Sequence, residues 1–288
     1  MRKQRSEDGQ GGGIGPRLNP LWVAIVVAVV SFAILTGVAL LAYQRQESRS
    51  RAEAEVTLTR VAESDAAVIS YWVAEGESDL HVLASTSRVR SEFESYLEGD
   101  ASSKEWLTMR LEAERASRNY VNITVFDTKG VPRITLGADS RGHEEELSRL
   151  AAKAALITTG SISSGHPAAG GTYHMAWFAP LRITEEPGAE RVTGVVMYEA
   201  DLKPYLTSVV ASVRQPWPVD VALRIGTGSG AYVASSSSGF SFSTLLDRPY
   251  PGGDVLAKSA QVGSGQMEVI ASVSNADLTE ALTWERRT

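Results

Sequence analysis

An α+β fold behind a single membrane-spanning helix is what the sequence predicts, and three observations predict it. Residues 21–43 form an uncharged apolar run. A long stretch of helical periodicity follows it without a break. Beyond that, alternating segments and short helices succeed one another in an order that occurs twice, the second time in smaller form.

The apolar run LWVAIVVAVVSFAILTGVALLAY holds no Asp, Glu, Lys, Arg or His. As a helix it reaches about 34 Å, enough to cross a hydrocarbon core of roughly 30 Å. It is also longer than the ~7–15-residue apolar core of a cleaved signal peptide, so a retained anchor is expected. Residues 1–20 are polar and glycine-rich and read as a flexible tail. Four basic side chains flank the run on each side: Arg2, Lys3, Arg5 and Arg17 before it, Arg45, Arg49, Arg51 and Arg60 after it. Counting charges therefore leaves the orientation open.

The 288-residue chain has no cysteine and a net charge of −6. Residues 44–288 carry 24 basic and 32 acidic side chains, an acidic balance that argues against nucleic acid as a partner. Absence of cysteine removes disulfides, thiolate metal sites and a cysteine nucleophile. No Walker A, GxSxG or HExxH pattern occurs, so no catalytic residue is expected. His81, His143, His166 and His174 show no i,i+4 pairing or other metal-ligand spacing, so neither a metal nor a cofactor is expected.

From residue 44 to about 93 the sequence contains one glycine, Gly76, and no proline. Apolar positions at Leu58, Val61, Val68, Ile69, Trp72, Val73, Leu80 and Leu83 keep a helical spacing and suggest a core face or a homodimer seam. Residues 91–118 read as two helical pieces broken near Gly99 and Asp100, the second capped by Ser102 or Ser103. Residues 120–136 alternate and break at 127–130, which predicts a β-hairpin. A helix is expected over 143–157, then strands over 172–183 and 191–200. Asp201 is expected to cap a helix over 202–212, and the prolines of 215–218 to mark a boundary. Strands over 219–225, 231–235, 256–262 and 266–273 complete the second set, with glycine-rich turns at 226–230 and 263–265. A Ser/Gly/Pro-rich loop fills 236–253, and a helix starts at Asn275 or Asp277.

The segments YWVAEGESDLHVLA, NITVFDTKGVPRI, HMAWFAPLRI and GVVMYEADL, in that order behind an anchor, resemble the double Cache (dCache) sensors of bacterial receptors. The resemblance covers roughly residues 45–285. It implies two tandem PAS-like antiparallel-sheet units: a larger membrane-distal one within 44–214, which includes the long helix, and a smaller proximal one over 215–274. It also implies a cytoplasmic N-terminus and an extracytoplasmic domain at the cell inner membrane. Residues 275–288 would lead towards a second span and a kinase, cyclase or chemotaxis output beyond Thr288. A membrane-tethered adaptor without a ligand is the alternative reading.

In such sensors the distal unit takes the ligand. The resemblance places a small organic ligand among Tyr173, Trp177, Tyr198 and Glu199, with Arg133 near the first hairpin. Glu199 would occupy the acidic strand-end position that meets a ligand ammonium. No Arg-x-Trp-Tyr run occurs, so the usual clamp for an α-carboxylate is missing. Aromatic walls with one or two charges suit an amine, yet the same aromatics suit a core equally well.

Overall fold

A computed structural model of the chain describes residues 20–137, 143–158, 160–168, 171–186, 189–211, 219–226, 232–236, 239–240, 243–244, 255–263 and 267–278. The chain divides into two compact units, Met1–Glu53 and Ala54–Thr288. The expected tail, the 215–218 proline boundary and the 227–230 part of the glycine-rich turn lie outside the described residues. So do most of the 236–253 loop and everything after residue 278.

In the first unit the apolar run is the start of helix α1 (Pro20–Ser85). Every side chain from 21 to 43 is exposed. An uncharged helical surface of that length has no place in water and suits lipid, where each backbone group is satisfied within the helix. Among the described residues it is the one helix long and apolar enough to cross a membrane.

The second unit starts with residues 54–85 of α1. Ala54, Leu58, Val61, Ala62, Ile69, Leu80 and Leu83 are buried at helical spacing, and Trp72 and Val73 are half-buried beside them. Most of the stripe read as a core face or a homodimer seam thus packs in the chain's own core. Val68 is the member of the stripe left exposed.

The expected long helix breaks at Thr86, and α2 (Ser87–Leu97) and α3 (Ala101–Arg118) follow. Asp100 caps α3, its side chain accepting from the Ser102 amide at 2.9 Å. The serines expected to cap the helix instead donate their hydroxyls to this carboxylate. Aspartate is the better N-cap because its charge also meets the positive end of the helix dipole.

Strands β1 (Asn122–Asp127) and β2 (Pro132–Gly137) form the expected hairpin. Helix α4 (Glu144–Ala154) begins with three glutamates. Then come β3 (Ile162–Ala168), β4 (Thr172–Glu186), β5 (Ala189–Asp201) and α5 (Leu202–Ala211), whose first turn Asp201 caps through the Lys203 amide at 2.8 Å. Strand β3 has no counterpart in the sequence reading. Its residues ISSGHPA lack apolar alternation, and its proline is tolerated because the strand lies at a sheet edge.

The first sheet is antiparallel with order β2-β1-β5-β4-β3, which puts β5 at its centre. The second sheet holds β6 (Asp220–Ile225), β7 (Tyr232–Ser235), β8 (Ser243–Thr244), β9 (Val255–Val262) and β10 (Met267–Ser274), in the order β8-β7-β6-β10-β9. The chain is therefore α+β with two antiparallel sheets behind one long apolar helix. Residues 275–278 are helical, and Ser274 accepts from the Asp277 amide at 3.1 Å.

Two apolar clusters separate the faces of the first sheet. Ile123, Val125, Trp177, Val196 and Tyr198 join the cluster that contains α1, α2 and α3 residues. Phe126, Ala176, Phe178, Val195 and Met197 pack instead with Leu147, Ala151 and Ala154 of α4. Successive residues of a strand point to opposite faces, so this division fixes where every later side chain goes.

Candidate functional site

On the helix-facing side, Trp177 and Tyr198 sit directly opposite one another in the β4–β5 ladder and are both fully buried. Trp177 meets Trp72 of α1 edge-on at 5.3 Å between ring centroids, and Trp72 stacks on Tyr205 of α5 at 4.8 Å. Tyr198 packs on Tyr120 at 4.4 Å. Burial, then the negative charge of Glu114, pushes the Tyr198 phenol well above its ordinary pKa. Tyr173 lies on this same face, with its ring over Gly165 of β3. These three aromatics are wall material between sheet and helices.

Glu199 follows Tyr198 in β5 and therefore points the other way, into the α4 side. Its cross-strand partner is Ala176, a member of the α4 cluster. It is 1% exposed. One carboxylate oxygen, Oε1, lies 2.7 Å from His174 Nδ1 and 3.0 Å from His166 Nε2. The other, Oε2, accepts from Asn122 Nδ2 at 3.3 Å, and Asn122 Oδ1 accepts from Thr124 at 3.4 Å. Strand register brings these residues together: Asn122 pairs with Glu199 across β1–β5, and His166 pairs with His174 across β3–β4. His143, at the N-cap position of α4, places its ring 5.1 Å from that of His166.

Arg133 belongs to a different place. It sits in β2 at the bulge opposite Val125 and Phe126, towards the end of β1 away from Asn122, and its guanidinium donates to Asp127 Oδ2 at 2.7 Å. Asp127 also accepts from the Lys129 and Val131 amides and so holds the hairpin turn. Burial would raise this carboxyl, but the hydrogen bonds from Val131, Arg133 and Lys129 prevail and hold it below its ordinary value.

The five residues expected around one ligand thus separate into three settings: three core aromatics, a hairpin ion pair, and Glu199. The histidines, which show no metal-ligand spacing along the sequence, are brought together by the fold. Three of the four converge near one buried carboxylate, and two of them contact it. Long-range strand pairing carries this, and sequence spacing of 8 and 25 residues between donors cannot show it. A buried carboxylate demands such partners, because leaving it unpaired costs several kcal/mol.

No family model matches the chain, and no curated protein does either. Solved structures do. The ligand-binding domain of the Pseudomonas fluorescens chemoreceptor CtaA, in complex with L-isoleucine, superposes with a TM-score of 0.53 at 14% identity. The match covers 82% of this chain and 98% of that one. The chain has the fold of extracytoplasmic sensor domains. The extracellular domain of the candidate histidine kinase rpHK1S-Z16 matches the sensor fold at a TM-score of 0.55 and 10% identity, covering 79% and 97% of the two chains. The GABA complex of the Pseudomonas aeruginosa amino acid chemoreceptor PctC gives 0.50 at 17%, covering 77% and 100%. The sensor fold is the one the double Cache resemblance implies, and at these identities the likeness concerns the fold alone.

Proposed function

We propose that this chain is the extracytoplasmic ligand-sensing region of a transmembrane signalling receptor, anchored by α1. The observation that carries the reading is the polar cluster of Glu199, His166 and Asn122, buried on the α4 face of a sensor-type sheet with the half-buried His174 joined to it. A fold needs no such cluster, since an apolar filling of the same volume is often as stable or more so. Chemoreceptor domains of this fold have been solved with L-isoleucine and with GABA, which supports a small ligand here.

The ligand is met through His174 and His143, which keep partial exposure, while Glu199 orients the imidazoles from beneath. Glu199 does not clamp an ammonium directly, because its oxygens already accept from His166, His174 and Asn122. Occupation of this face changes the packing of α4 on the sheet, and the opposite face holds the part of α1 that belongs to this unit. The test is a thermal-shift screen of the detergent-solubilised chain against amines, amino acids and organic acids. A shift that disappears in His174→Ala and persists in Arg133→Ala is the expected result. A shift that depends on Arg133 and not on His174 rejects this placement of the site.

A further inference from the structure

We infer that His166, His174 and Glu199 form a binding site for a first-row divalent transition metal ion of the Zn2+ class. The ion would sit at the buried base of the proposed sensing site, and its signalling meaning rests on that reading, though the ligand set stands on its own geometry.

Each of the three residues offers one donor atom, His166 Nε2, His174 Nδ1 and Glu199 Oε1, and all three atoms lie within 4.8 Å of one another. A tetrahedral ion with bonds of about 2.0–2.1 Å spaces its ligands at roughly 3.3 Å, so only small side-chain adjustments are required. The scaffold is preorganised, because the two histidines are direct partners in an antiparallel ladder and Glu199 sits on the adjoining central strand. Glu199 and His166 are almost wholly buried, so the ion would sit where water competes little.

As described, both imidazoles point a ring nitrogen at the same carboxylate oxygen, the arrangement that shares protons among the three groups. An ion takes the place of those protons. Each ring then carries its proton on the other nitrogen and turns a lone pair to the metal, with the carboxylate supplying the negative charge. Asn122, hydrogen-bonded to Glu199 Oε2 and braced by Thr124, holds the carboxylate in orientation as outer-layer partners of metal ligands do. Two nitrogens and one oxygen suit zinc, nickel, copper or cobalt, whereas calcium and magnesium prefer oxygen-only shells. The remaining position is open to water, to an exogenous ligand, or to His143, whose ring lies 5.1 Å from that of His166.

The experiment uses the full chain in detergent, purified without a polyhistidine tag and stripped with chelator. It is titrated with Zn2+ by calorimetry and with Co2+ by visible absorption. The expected result is about one tight site per chain, with Co2+ bands of low coordination number. His174→Ala and His166→Ala should each weaken binding at least about 100-fold, and Asn122→Ala about 10–100-fold. Circular dichroism of the metal-free variants checks folding. Should His166→Ala not fold, His174→Gln, at a partly exposed position, decides alone. Absence of saturable Zn2+ binding, or binding unchanged in the histidine variants, overturns the metal site. An organic compound that shifts the chain through His174 while Zn2+ does not bind rejects the metal and leaves the sensor reading standing.

Discussion

The indole of Trp177 lies directly on Gly76 of α1, so close that a methyl group at that glycine would come within 2.8 Å of the ring. Gly76 is the one glycine between residues 44 and 93, and the indole explains it. Replacement by alanine would raise helix propensity by about 1 kcal/mol at an exposed site. Here the clash of roughly 1–3 kcal/mol is the larger effect. Gly76→Ala is expected to lower Tm, and Gly76→Val to lower it further, with a red shift in tryptophan emission as the indole is displaced. Trp177→Phe should cost less than Trp177→Ala, for which about 3–5 kcal/mol is usual. Among the described residues the indole N–H has no hydrogen-bond partner, so phenylalanine loses none there.

Asp65 sits on the buried side of α1, its Oδ2 without a hydrogen-bond partner among the described residues, and burial pushes its carboxyl from 3.8 up to about 6. Because the folded value lies above the unfolded one, the native state binds the extra proton between about pH 4 and 6. Stability from this group therefore falls as pH rises through that window, and above it the buried charge costs roughly 2–3 kcal/mol. Asp65→Asn should be more stable than the wild type at pH 7.5 and no more stable at pH 3.5. Urea unfolding at the two values checks this.

Asp127 has the opposite sign. Its depressed carboxyl contributes stability above its ordinary value of 3.8 that is lost as pH falls through the folded value. Asp127→Ala should cost about 1–2 kcal/mol, through the turn amides of Lys129 and Val131 and the Arg133 guanidinium. Arg133→Ala should cost at most about 1 kcal/mol, since its side chain is 45% exposed. Denaturant midpoints of the two variants at pH 7 give the comparison.

Much of the fold was legible because it rests on local chemistry. The turn of Asp127 to Gly130, the apolar spacing of Leu58, Val61 and Ile69, and the cap at Asp201 each declare themselves within a few residues. The site was not legible in the same way. Glu199 was found as a strand-end acid, but it was grouped with its neighbour Tyr198, although strand alternation sends the two to opposite faces. His166 was hidden because β3 carries serines, a glycine and a proline where alternation would be sought, and only pairing with β4 makes it a strand. Asp65 is a different case. It stands four residues from both Val61 and Ile69, on the buried stripe itself, and only its polarity hid it there.

The central claim is that ligand is taken on the α4 face of the first sheet and not on the face that meets α1. Adjacent residues on β5 test it most directly, by comparing Glu199→Gln with Tyr198→Phe in the ligand-induced thermal shift. Glu199→Gln is predicted to abolish the shift and Tyr198→Phe to retain it within experimental error. Loss of the shift in Tyr198→Phe with its survival in Glu199→Gln would put the ligand on the opposite face and contradict the account.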